Sequence, residues 1–94
     1  MKLTDDQIRD GLTRLTGWSW DPDRPEIHRT VRLDDFVAAV ALVNDVAQAA
    51  EQAGHHPDID IRYNKVRLAL CTHSVGAITE NDMALAARID ELVP

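Results

Sequence analysis

The chain has 94 residues, 45% hydrophobic and 28% charged. That composition fits one small folded domain over residues 1–94 and argues against a disordered tail. No run approaches the roughly 18 apolar residues of a membrane span, so no membrane partner is expected. Met1-Lys2-Leu3-Thr4-Asp5-Asp6 shows no apolar stretch behind its single basic residue, so no signal peptide is expected and the cytoplasm is the default setting. Sixteen acidic against ten basic residues give a net charge of −6, and the eight arginines are scattered. That is the wrong sign for a phosphate-binding surface, and no nucleic-acid partner is expected. Cys71 is the only cysteine, which excludes an internal disulfide; between Leu70 and Thr72 it reads as a buried structural thiol in a strand.

Thr4 and Gln7 have the spacing of a capping box, and Ile8, Leu12 and Leu15 recur at four and three. The pattern predicts a helix over 5–15, with Gly17 closing it in the left-handed conformation. Trp18-Ser19-Trp20 then alternates, Asp21 to Pro25 forms a turn with two prolines, and Glu26 to Leu33 places Ile27, Val31 and Leu33 on one parity. Two strands joined by a polar loop follow, with His28 on the solvated side. Asp34 or Asp35 caps a second helix whose apolar face is read as Phe36, Ala39, Val40, Val43, Val46, Ala47 and Ala50, ended by Gly54.

After Pro57 the period changes to two. Ile59, Ile61 and Tyr63 alternate with Asp58, Asp60 and Arg62, and Val66, Leu68 and Leu70 continue the alternation beyond Asn64-Lys65. If Asn64-Lys65 is a two-residue turn, Tyr63 faces Val66, Ile61 faces Leu68 and Ile59 faces Leu70, which puts every apolar side chain on one face. Lys65 is a poor turn residue, and a longer loop is the alternative. Thr79-Glu80-Asn81-Asp82 opens a last helix with Leu85, Ala86, Ile89, Leu92 and Val93 as its stripe. The elements add up to an α+β fold: a two-layer αββαββα domain, a four-stranded antiparallel sheet with three helices on one face.

Three of the four histidines fall between positions 55 and 73. Extending the hairpin register brings His73 opposite His56 at its open end, with His55 adjacent, Glu51 one helical turn earlier and Asp82 at the start of the last helix. Pro57, lacking an N–H, weakens that extrapolation. A metal site could use His55, His56, His73 and Asp82, but adjacent histidines in an extended chain point to opposite faces, and no metal is expected. Ordinary structural roles remain open, above all capping for Asp82 and a solvated last-turn carboxylate for Glu51. The third reading is general acid–base catalysis, with two imidazoles moving protons in opposite senses.

The run Glu51-Gln-Ala-Gly-His55-His56-Pro57, then Tyr63-Asn-Lys, Thr72-His73 and Asp82, resembles pterin-4a-carbinolamine dehydratases. Glu51, His55, His56, Pro57, Tyr63, His73 and Asp82 match the family's pattern, and the likeness extends through Gly17-Trp18, Phe36 and the alanine-rich helix. Ser74-Val75-Gly76-Ala77 departs from a loop that often carries an acidic residue. The resemblance implies dehydration of a 4a-hydroxytetrahydropterin to quinonoid dihydropterin, with no cofactor. It implies His55 and His73 as proton-transfer groups with His56 holding the substrate, and Glu51, Pro57, Asp82 and Trp18 around the pterin. It also implies a homodimer or homotetramer, a functional link to an aromatic amino-acid hydroxylase and, as an alternative, a non-catalytic pterin-binding or protein-interaction module acting as a dimerisation cofactor.

Overall fold

A computed structural model describes residues 1–94. Its elements are α1 (Asp5–Leu12), β1 (Ser19–Trp20), β2 (Ile27–Arg32), α2 (Phe36–Ala53), β3 (Asp58–Arg62), β4 (Lys65–Leu70) and α3 (Glu80–Leu92). The strands form one antiparallel sheet in the order β1-β2-β4-β3. Since β2 and β3 both pair antiparallel with β4, they run parallel to each other and α2 must cross over the sheet between them. The predicted αββαββα order is the one observed.

Alternation makes the sheet two-faced. Ile27, Val31, Val66, Leu68 and Leu70 are buried in one cluster with Ile8 of α1, Leu42 and Val46 of α2 and Leu85, Ala86 and Ile89 of α3, so the three helices cover that face. The other face carries Thr30, Arg67 and Asp60 in one cross-strand row, with His28 half-buried. No helix is long and apolar enough to cross a membrane.

Arg29 shares the parity of Ile27 and Val31 and therefore points in among the helices. Its charge is met by Asp90 of α3 at 2.6 Å, both side chains being 14% exposed. Asp90 also accepts the Trp18 indole N–H and the Thr16 backbone N–H, each at 2.8 Å. Gly17 lets the chain pass this pair: its φ is +77°, and a Cβ there would meet Arg29 Nε at 3.1 Å. This corrects the expected role of Gly17 as the cap of α1. The capping box of Thr4 and Gln7 does start α1, but regular helix stops at Leu12. Thr13 takes the Asp10 carbonyl with both its N–H and its hydroxyl, and Arg14 and Leu15 continue in tighter i→i+3 bonds.

Two further expectations shift. In α2, capped by Asp35 through Ala38 N–H, the buried residues are Ala39, Leu42, Val46, Ala49 and Ala50, while Phe36 and Ala47 are exposed. The face is rotated from the predicted one because the helix packs against α3 as well as the sheet. In the second hairpin Ile61 faces Val66 and Ile59 faces Leu68, a register two residues from that predicted. Faces survive a slip of two, so Ile61 and Leu68 still share one side. The turn is Tyr63-Asn64, with Tyr63 at φ +52°. Asn64 fixes it by exchanging two bonds with Leu33 at the end of β2: its side-chain amide donates to Leu33 O at 2.9 Å and its carbonyl accepts Leu33 N–H at 2.8 Å.

Candidate functional site

The topology brings three chain segments to one end of the sheet. β3 begins at Asp58 opposite Ala69, so the residues just before Asp58 lie beside those that follow Leu70. Along the corrected register His56 continues opposite Cys71, not opposite His73 as expected. β4 ends at Leu70, and Thr72 closes an isolated bridge to Ala77. The intervening turn carries His73, held by Val75 and Gly76 N–H donating to the Thr72 carbonyl at 3.0 and 2.8 Å. His73 is exposed on that turn.

Gly54, at φ +62°, ends α2 in the left-handed conformation. His55 N–H bonds Ala50 O and Gly54 N–H bonds Glu51 O, the paired bonds of a Schellman motif. The reversal sends the two imidazoles to different partners. His55 Nε2 meets Asp82 Oδ1 at 2.5 Å, with side-chain exposures of 13% and 0%. His56 Nε2 meets Glu51 Oε2, also at 2.5 Å, but these side chains are 64% and 75% exposed.

Asp82 occupies the third position of α3 and accepts the Thr79 N–H at 2.9 Å, closing a capping box with its N-cap. The structural role expected for Asp82 and its contact with His55 are thus both present in one carboxylate. Behind it, Thr72 and Thr79, both buried, are in contact through their hydroxyls at 2.7 Å, and Thr72 donates to Asp82 at 2.9 Å. Sequence reasoning reached Thr79 as a helix cap but not Thr72, whose hydroxyl meets Thr79 and Asp82 only because the chain turns back between β4 and α3.

The other expected residues are placed as follows. Pro57 is half-buried between His56 and the start of β3. Trp18 is 8% exposed, part of the core cluster, and its indole N–H is committed to Asp90. Cys71 lies just past β4, half-buried; burial first, then the charges of Asp82, Glu26 and Asp58, raise its thiol above the ordinary range. No cluster of three or more His, Cys, Asp or Glu is arranged to hold a metal. An open cleft of about 240 Å³ between α2 and α3 borders His55, with Gln52, Asn81 and Arg88 as its polar lining.

The arrangement can do acid–base work: a buried carboxylate backs one imidazole, and a second and third histidine stand exposed at the same end of the sheet. Comparison with known proteins agrees in family. Residues 1–92 match the family model described as pterin 4 alpha carbinolamine dehydratase. A protein of Acidobacterium capsulatum provisionally named pterin-4-alpha-carbinolamine dehydratase is 55% identical over 92 residues, covering 98% of each chain. A Chloroflexus aurantiacus protein with the same provisional name is 54% identical, covering 98% of this chain and 97% of its own. A solved structure described as a transcriptional coactivator/pterin dehydratase from Brucella melitensis superposes with a TM-score of 0.95 at 31% identity over the full length of both chains. A pterin dehydratase-like protein described as a RuBisCO assembly factor in the alpha-carboxysome shares the fold, with a TM-score of 0.70 at 23% identity over 83% of this chain and 90% of its own.

Proposed function

The chain belongs to the pterin 4 alpha carbinolamine dehydratase family, and from that premise we propose that it dehydrates a 4a-hydroxytetrahydropterin. The substrate carries a hydroxyl on the ring carbon C4a, next to the N5 amine, and is already labile as a carbinolamine. Breaking the C4a–O bond needs a proton for the departing hydroxyl, and forming the C4a=N5 bond needs a base for the N5 proton. The products are quinonoid dihydropterin and water, with no net change in oxidation state. Imidazoles suit both transfers near neutral pH, and such catalysis typically contributes roughly 10²–10⁴-fold.

In this reading His55 and His73 move the two protons and His56 holds the substrate. Asp82 orients His55, while Glu51 orients His56 and, with Pro57, borders the pterin. The observation that carries the proposal is the His55–Asp82 contact, in which a fully buried carboxylate is spent on an imidazole at the mouth of the site. Supply of substrate by an aromatic amino-acid hydroxylase, a cytoplasmic setting and a homodimer or homotetramer belong to the same reading.

The test is an assay with enzymatically generated 4a-hydroxytetrahydropterin, both C4a configurations being supplied separately because each imidazole can serve one better. His55→Ala and His73→Ala should each lower kcat, the double variant should approach the spontaneous rate, and His56→Ala should also raise KM. A folded double variant with wild-type kcat overturns the assignment. A second reading draws on the family neighbours described as a coactivator and an assembly factor: a binding module without turnover. It predicts pterin binding by the wild-type protein with no acceleration of dehydration.

A further inference from the structure

We propose that Thr72 is a positioning residue of this site: its buried hydroxyl fixes the Asp82 carboxylate so that the neutral His55 ring is held as the Nε2–H tautomer, with Nδ1 as its basic atom. The argument is a count of protons. A threonine hydroxyl has one to give, a carboxylate has none, and a backbone N–H always donates. Oδ2 of Asp82 faces the Thr79 N–H and the Thr72 hydroxyl, both at 2.9 Å. Thr72 therefore uses its only proton on Asp82. The 2.7 Å contact between the two hydroxyls must then run from Thr79 to Thr72, while Thr79 Oγ1 accepts the Asn81 N–H at 3.2 Å.

Every proton in the network now has one direction, and no buried side-chain nitrogen or oxygen is left without a partner. Two donors hold Oδ2, so the carboxylate cannot swing off His55 without giving up both. With the Thr72 hydroxyl removed only the Thr79 N–H resists that swing, and wherever the carboxylate has left, Nε2 is free to lose its proton to Nδ1. Oδ1 is left facing His55 Nε2 at 2.5 Å, and because the carboxylate has no proton to offer, the ring nitrogen must carry it. The free atom of the neutral ring is Nδ1.

Thr72 does a second, separable job. Its backbone closes the His73 turn, through its N–H to Ala77 O and its carbonyl to Val75 and Gly76 N–H. One residue thus sets the turn of one histidine with its main chain and the tautomer of another with its side chain. Thr72→Val keeps the shape and the backbone bonds and removes only the hydroxyl; Thr72→Ser keeps the hydroxyl.

The experiment is ¹⁵N NMR of the His55 ring in wild type, Thr72→Val and Thr72→Ser, with melting curves as a folding control and steady-state kinetics alongside. Wild type should show Nε2–H with unprotonated Nδ1, Thr72→Val a mixture of tautomers, and Thr72→Ser the wild-type pattern. The kinetic arm rests on the dehydratase reading: kcat should fall roughly tenfold in Thr72→Val, as for other outer partners of a working imidazole, with KM held and activity restored in Thr72→Ser. A wild-type spectrum with Nδ1–H overturns the proposal, as does a folded Thr72→Val with an unmixed Nε2–H tautomer. If Thr72→Val does not fold, the wild-type and Thr72→Ser spectra decide, and a changed tautomer in Thr72→Ser overturns it. Absence of dehydratase activity in the wild type would sink the functional reading and leave the tautomer measurement standing.

Discussion

Two imidazole–carboxylate pairs form at the same helix end with the same 2.5 Å contact, and burial is the first thing that separates them. Asp82 is fully buried and His55 nearly so, whereas Glu51 and His56 are mostly exposed. Water competes for the second pair and is excluded from the first, so equal geometry carries unequal weight. The buried carboxylate also accepts two further bonds, from the Thr72 hydroxyl and from the Thr79 N–H that caps α3, while Glu51 makes no other side-chain bond.

The largest expected effect tests that inequality directly. Asp82→Asn can keep its carbonyl on Thr72 and Thr79 only by turning its amide nitrogen onto His55 Nε2, which either opposes the Nε2–H or forces the other tautomer. It also removes the buried charge, and denaturant unfolding should show a loss of about 3 kcal/mol. Glu51→Gln should stay within about 0.5 kcal/mol of wild type. Similar losses from the two variants would mean that burial is not what distinguishes the pairs.

Gly54→Ala attacks both pairs at their common origin. Nothing lies within 4 Å of the added methyl, but the positive φ strains an L-residue, and a cost of about 1 kcal/mol is expected in thermal or chemical unfolding. A double-mutant cycle on Glu51 and His56 should give a coupling below about 0.5 kcal/mol that disappears in roughly 1 M salt. A coupling that persists at high salt would show a desolvated pair.

The smallest effect uses Cys71 as a reporter. Thiolate is the reactive form, so a raised thiol must give an alkylation midpoint at higher pH than free cysteine. Asp82 is among the charges that raise it and Glu51 is not. Asp82→Asn should therefore move the midpoint to lower pH, and Glu51→Gln should leave it in place. Iodoacetamide kinetics against pH reads both.

Much of this architecture was legible from periodicity. Parity placed Ile59, Ile61, Val66, Leu68 and Leu70 correctly on the helix side, since parity is a property of the strand itself. The register was not legible, because Tyr63 carries no signal for a left-handed turn. What fixes the turn is Asn64 reaching Leu33, 31 positions away. The same distinction holds at the site. Thr79 and Asp82 announce a helix start by their spacing, and the sheet end shared by His55 and His73 follows from strand order. Thr72, by contrast, sits in a strand-like run, and only its contacts with Thr79 and Asp82 at the start of α3 reveal what its hydroxyl does. Trp18 is expected near the pterin through resemblance alone, and its bond to Asp90, 72 positions away, has no local signal.

Asp90 carries a consequence for the order in which the protein assembles. It clasps Thr16, Trp18 and Arg29 across separations of 74, 72 and 61 positions, closing most of the chain into one non-covalent loop. A nascent chain still lacking α3 has an arginine aimed into its apolar layer with no counter-charge, a state costly enough to keep the sheet from settling. The N-terminal third therefore depends on α3 for the counter-charge of its inward-pointing arginine, and a chain cut before α3 is expected to lose the whole sheet and not the helix alone.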